Sequence, residues 1–276
     1  MAIDEHYYGE GPPHWQVGRQ NRPCETAAQA NERRFGLSNT LRGHGVSVKS
    51  FDLAARLLNC LPHNRCKSGA CPECSRAAQR RFVQQGYRKL REWQGDGADI
   101  TAVSIIPCDS NGQPISSIVQ ALRVIEGLCD KYGLSDVIGG IDVSCNEIDP
   151  RYALPGDPAG RGDEHSYKVV AHAWVLLKNE EWKRAEKAFR RTFPVRDWCP
   201  KPIIAKKWDD DLRAIAYGLK TDFVRRVTIP AHSDSSGKPV RRNTRDRQLR
   251  TGQKVKLAHK VDQAGLNGRR IWRVSS

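Results

Sequence analysis

No stretch of this chain approaches the roughly 18 consecutive apolar residues that a membrane-spanning helix needs. Its opening segment, Met1–Pro13, is polar, with the apolar core of neither a secretion signal nor an anchor. Such a chain is expected to be soluble and cytoplasmic. In a reducing compartment its nine cysteines speak against disulfides and, where they cluster, for metal. Carboxylates are scarce: 31 Asp and Glu against 46 Lys and Arg leave a net charge of +15 and a pI near 9.6. That field exceeds what an enzyme of small neutral substrates needs, and a phosphate backbone is its commonest partner, with anionic lipid the other. No internal repeat is present, and 276 residues are enough for one large core or two modest ones.

Four stretches of different character follow one another. Residues 1–45 mix Gly, Pro, Asn and Arg without a period and predict an irregular arm. Residues 46–98 hold a short helix (Phe51, Ala54, Ala55, Leu58), a cysteine cluster, and a helix capped by Ser75 that runs to about Trp93. One side of that helix carries Phe82 and Trp93, and the other carries Arg76, Arg80 and Arg81 as a phosphate track. Residues 99–230 predict an α+β core. Ile100–Ile106 reads as a buried strand, Ile115–Tyr132 as a helix, Val137–Cys145 and Tyr167–Leu177 as hairpin strands, and Glu180–Thr192 and Trp208–Lys220 as amphipathic helices. Asp149–Glu164, rich in Pro and Gly, reads as a loop. Residues 231–276 read as a basic tail, with Arg241, Arg242, Arg245 and Arg247 as phosphate contacts.

The most specific local pattern is Cys60-Leu61-Pro62-His63-Asn64-Arg65-Cys66, followed after Lys67-Ser68-Gly69-Ala70 by Cys71-Pro72-Glu73-Cys74. A two-residue spacer lets the Cys71 and Cys74 thiolates reach one tetrahedral ion. Cys66 supplies a third ligand, and the fourth is either His63 or Cys60. Lys67, Ser68, Gly69 and Pro72 are poor neighbours for thiols that merely fill a core. A closed zinc site of this kind would hold structure and leave no position open for a substrate. Cys24, Cys108, Cys129, Cys145 and Cys199 are scattered and read as plain thiols.

Farther along, Val170, His172, Trp174 and Leu176 share one face of a strand. Tyr217 and Lys220 are three apart on a helix, and a cation beside a tyrosine favours phenolate, the nucleophilic form.

In their order these features resemble the rolling-circle replication initiators and related transposases, the HUH-type single-strand endonucleases. The order runs from Cys66, Cys71 and Cys74 through a basic helix, a strand, Asp142–Glu147 and the His172 strand to Tyr217 and Lys220. The resemblance covers roughly residues 55–230. It implies an antiparallel sheet flanked by helices, with Tyr217 as the nicking residue and Lys220 as its partner. Tyr217 would attack a phosphodiester of single-stranded origin DNA, leaving a 5′-phosphotyrosine and a 3′-hydroxyl that primes synthesis. It further implies host replication proteins as partners, and Mg²⁺ or Mn²⁺ held by paired histidines, His172 being the first. The second histidine's place holds Trp174, whose indole cannot ligate. His165 and Asp142 are the available substitutes, and Trp174 also suits stacking on an unpaired base. Two other readings use the same charge and cysteines: a non-catalytic DNA-binding regulator, and a zinc-stabilised RNA-binding protein.

Overall fold

The computed structural model describes residues 26–44, 47–148, 167–196, 198–229, 232–233, 235–237, 239–240 and 243–275. Asp149–Glu164, His165, Cys24, Arg241 and Arg242 lie outside the described residues.

The described residues open with three helices, α1 (Ala27–His44), α2 (Val48–Leu58) and α3 (Pro72–Gly95). The expectation of an irregular arm is therefore corrected from residue 27 onward. Thr26 and Gln29 cap each other's backbone N–H at 3.1 and 2.9 Å, a reciprocal box that starts a helix despite its polar composition. The helix holds on by burying Ala30, Ser38 and Leu41 along one line. Ser47 caps α2. Cys71, and not Ser75, stands at the start of α3, with Pro72 in the first turn where its missing N–H costs nothing.

Next come β1 (Ile100–Ile105), α4 (Ile118–Lys131), β2 (Val137–Ile148), β3 (Tyr167–Lys178), α5 (Asn179–Thr192) and β4 (Ile203–Lys207). The strands lie in the order β4-β1-β3-β2, with each neighbouring pair antiparallel. This is a split βαβ arrangement, in which each crossover helix spans a strand inserted between its two ends. The expected β2–β3 hairpin pairing is present, with Asp142 directly opposite His172.

The chain then forms a short helix α6 (Leu212–Ala216), a 3₁₀ turn (Tyr217–Leu219), β5 (Arg225–Ile229), a ribbon of β6 (His232–Ser233) with β7 (Pro239–Val240), β8 (Asn243–Arg247), α7 (Thr251–Ala264) and β9 (Arg270–Arg273). The expected Trp208–Lys220 helix is thus only one turn long before it tightens. Asp211 caps its start, and Trp208 is still in extended chain. The predicted basic tail is corrected as well. β5 pairs parallel with β2, β8 pairs with β5, and β9 completes the far edge of β2. The sheet is therefore mixed, with seven strands. Leu257, Val261 and Ile271 are buried in its core.

Alternation along the strands divides the core between the two faces of the sheet. Val103, Ile105, Val137, Ile141, Ala173 and Val175 pack beneath α4, α5 and α7. Ile100, Ala102, Ile138 and Leu176 on the opposite face meet Phe82 and Leu90 of α3 and Ile215 of α6. A third cluster joins Leu41, Leu53 and Leu57 to the cysteines and to Ala258 of α7. Among the described residues no helix is long and apolar enough to cross a membrane.

Candidate functional site

Two constellations stand out: the four cysteines, and a cleft on the α3-facing side of the sheet.

Cys60, Cys66, Cys71 and Cys74 place their sulfurs within 4.8 Å of one another. Sγ separations of 3.5 Å (Cys60–Cys74), 3.7 Å (Cys60–Cys71) and 3.8 Å (Cys66–Cys74) match the edge of about 3.8 Å of a tetrahedron with Zn–S bonds of about 2.3 Å. The donors therefore fit one zinc ion. Their mutual contacts also call for a cation. Hydrogen bonds from Cys66, Cys71 and Cys74 pull the Cys60 thiol down, while contacts led by the one with Cys60, together with burial, push Cys71 up. Four such thiols cannot all lose their protons unless a positive ion stands among them. The choice between His63 and Cys60 falls to Cys60, which is buried, whereas the His63 side chain is exposed outside the group. A bridge between Leu61 and Asn64 turns His63 outward. Cys108, Cys129, Cys145 and Cys199 are separate buried thiols; burial raises Cys129 and Cys145 to about 12.

The cleft has a volume of about 610 Å³. Its floor is the continuation of the sheet face that carries Ile100, Ala102, Ile138 and Leu176. Past those apolar residues the same period brings Ser104, Asp142, His172 and Trp174 to the surface of the sheet. Ser104 and Trp174 line the cleft together with Tyr217 and Lys220. The Tyr217 ring lies against Trp174 with centroids 4.4 Å apart, and Trp174 in turn lies 4.7 Å from His172. Lys220 Nζ is 4.7 Å from the centre of the Tyr217 ring and 2.8 Å from Asp142 Oδ2. Arg226 donates to the Tyr217 hydroxyl at 3.2 Å. The tyrosine, lysine and histidine read from sequence, some of them far apart in the chain, thus meet in one place.

His172 is buried, and its Nε2 is 2.6 Å from Ser104 Oγ. Burial, then Arg226 and Lys220, hold it well below the usual imidazole range, so it is a neutral ring at physiological pH. Its Nδ1, like Trp174 Nε1, finds no hydrogen-bond partner among the described residues.

The described residues do not by themselves assemble the expected site for Mg²⁺ or Mn²⁺. Among the described residues the one group of three or more close His, Cys, Asp or Glu ligands is the cysteine cluster. Asp142 already faces the Lys220 ammonium, and Arg226 adds further positive charge near His172. Two ligands beside a resident cation do not meet the octahedral demand of a hard divalent ion.

Arg269 lies behind the cleft, and sequence reading placed it in the tail. It is buried and donates to the carbonyls of Ile141 (3.0 Å), Gly218 (3.2 Å) and Lys220 (3.0 Å). Burial lowers it to about 10, against the opposing attraction of Asp142. It ties the Tyr217–Lys220 turn to β2. No local sequence signal marks this role, because it depends on β9 docking against β2.

Other expected contacts fall elsewhere. Arg76 and Arg80 are buried, because the first half of α3 is enclosed by α1 and α6, so they do not form an outward track; Arg81 is half-buried. Arg245 and Arg247 are exposed on β8. The cleft rim is not uniformly basic: Asp209, Asp211 and Asp222 lie 3.4, 2.5 and 3.8 Å from Lys206, Arg213 and Arg33.

Comparison of the chain with protein-family models, with curated proteins and with solved structures gave no match.

Proposed function

We propose that this chain nicks and rejoins single-stranded DNA at a replication origin, in the manner of the HUH-type initiators it resembles, with Tyr217 as nucleophile. One observation carries the reading: Tyr217, Lys220 and Trp174 line one cleft, with Asp142 and His172 buried against them on the sheet face that carries Trp174. Arg226 donates to the Tyr217 hydroxyl and the Lys220 ammonium lies over its ring, so two cations stand beside the nucleophile. Trp174 lines the cleft between the Tyr217 and His172 rings, where an unpaired base would meet its exposed edge. Ser104 holds His172, whose ring supports Trp174 from below. The zinc-fitting cysteines sit apart from this chemistry and stabilise the helical module beside it. Divalent cations enter no step of this reading, because the described residues do not fit one.

The reaction is a transesterification. The Tyr217 oxygen forms a bond to phosphorus, the bond to the 3′-oxygen breaks, the phenolic proton passes to solvent, and the departing oxygen takes one from solvent. The reverse attack by a 3′-hydroxyl rejoins the strand.

The test is a covalent adduct. A randomised pool of 3′-fluorescent single-stranded oligonucleotides incubated with the protein should yield a labelled band at protein size on a denaturing gel, and Tyr217→Phe should abolish it. A band that survives in Tyr217→Phe removes Tyr217 from the role.

Trp174 in the second histidine's place favours a second reading, a zinc-stabilised nucleic-acid-binding regulator without nicking activity. Retention of single-stranded DNA with no adduct is its signature.

A further inference from the structure

The cation that the cleft would present to a phosphodiester is built from side chains. Lys220 lines the cleft, and its Nζ has the Asp142 carboxylate at 2.8 Å. Both side chains are nearly inaccessible to solvent, at 9% and 1%. The ion pair with a buried carboxylate at that distance holds the ammonium in place. The turn that carries Lys220 is held by Arg269 at two carbonyls, so the ammonium has a rigid backbone behind it. Arg226 reaches the Tyr217 hydroxyl, so a second fixed cation stands at the attacking atom.

Lys220 is paired with Asp142 and Arg226 with Asp246, at 2.8 and 3.9 Å, and both cations stand near the neutral His172. Preorganised Lys and Arg donors perform the same electrostatic work on a transferring phosphoryl group as a bound metal.

We propose that Lys220, positioned by Asp142 and assisted by Arg226, takes the place of the divalent metal, so that strand transfer at Tyr217 proceeds without Mg²⁺ or Mn²⁺. This rests on the nicking function proposed above. Lys220 contacts a non-bridging oxygen of the scissile phosphate and neutralises the charge that develops as the Tyr217 oxygen bonds to phosphorus. The bond to the 3′-oxygen then breaks with the proton balance already given. Asp142 is a positioning residue. Trp174 fills the space that a second histidine ligand would need.

The experiment uses full-length, zinc-loaded protein and the same 3′-fluorescent single-stranded pool, in buffer cleared of divalent ions by a chelating resin so that the cysteine-held zinc stays in place. Adduct should form at the same rate before and after MnCl₂ is added. Lys220→Met should slow it by roughly a hundredfold or more, and Lys220→Arg should recover part of the rate because it keeps the charge. Zinc content and near-ultraviolet circular dichroism show whether each variant folds; if Lys220→Met does not, the wild-type metal dependence still decides. Adduct that appears only with MnCl₂ overturns the lysine-for-metal inference and leaves the nicking function standing. Adduct in neither buffer overturns both. An undiminished rate for folded Lys220→Met in metal-free buffer also overturns the inference.

Discussion

Gly218 rests directly on the backbone of Gly140. A Cβ at position 218 would fall 2.5 Å from the Gly140 carbonyl oxygen, and one at position 140 would press on Leu219 at 2.9 Å. The turn bearing Tyr217 and Lys220 can approach β2 this closely only because neither partner has a side chain at the contact. Gly218→Ala should destabilise the protein by about 1–3 kcal/mol through overpacking against rigid backbone. It should also displace Tyr217 from Trp174. Urea unfolding followed by tryptophan fluorescence reads both effects, and an unchanged midpoint would place the turn elsewhere.

Arg269 secures the same turn from behind. Arg269→Met removes the donor for three buried carbonyls and should cost about 3 kcal/mol, since hydrogen bonds to a charged group are the strong ones. Arg269→Lys, which keeps the charge but not the planar fork, should fall between the two. Denaturant midpoints of the three proteins give the comparison. Equal stabilities would mean that these carbonyls are solvated.

His172 makes stability depend on acidity. Its folded-state value lies below that of the unfolded chain, so as pH falls below about 6.5 the unfolded state takes up a proton that the native ring refuses. Its contribution is complete above that pH and declines as pH falls toward the native value. His172→Gln should flatten the fall in thermal midpoint between neutral and mildly acidic pH, measured with both proteins zinc-saturated. Parallel curves for the two would show that the ring titrates freely in the native state.

At the cysteine cluster, purified protein should carry one zinc ion per chain. Cys60→Ser should lose it and lower the thermal midpoint, because α2, α3 and α7 close around those sulfurs. His63→Ala should bind zinc as the wild type does. Atomic absorption on the two variants decides between the ligands, and the reverse result would return the fourth position to His63.

Where a single local pattern dominated, the sequence could be read directly. Ile100–Ile105 and Tyr167–Lys178 show alternation and β-branching, α5 shows a clean apolar stripe through Trp182, Ala185 and Phe189, and Cys71-Pro72-Glu73-Cys74 carries its own geometry. Long-range packing hid the rest. α7 buries Gln253, Leu257, Ala258 and Val261, but its lysines mask that stripe in any average over composition. α1 buries Arg34 and Ser38 where an apolar residue would have announced a helix; Arg34 donates to the Leu57 and Leu58 carbonyls, and Ser38 to that of Ala54. Arg76 and Arg80 looked like surface charge because nothing nearby in the sequence reveals that α1 and α6 cover them. The Tyr217–Lys220 spacing was visible, but not the tightening of α6 into a 3₁₀ turn, which packs on Gly140 of β2 and is held by Arg269 just ahead of β9.

The pairing of β9 with the free edge of β2 sets the timing of assembly during synthesis. β2 leaves the ribosome with one edge for β3 and another that β5 covers at Cys145–Ile148, while Val137–Gly140 stay open until Arg270–Arg273 have been made. Arg269 arrives just ahead of β9, so the turn carrying Tyr217 is pinned only after that strand begins to be made. A nascent chain therefore holds Tyr217 before it holds the means to aim it, and it acquires both the covered sheet edge and the aligned tyrosine in one late step.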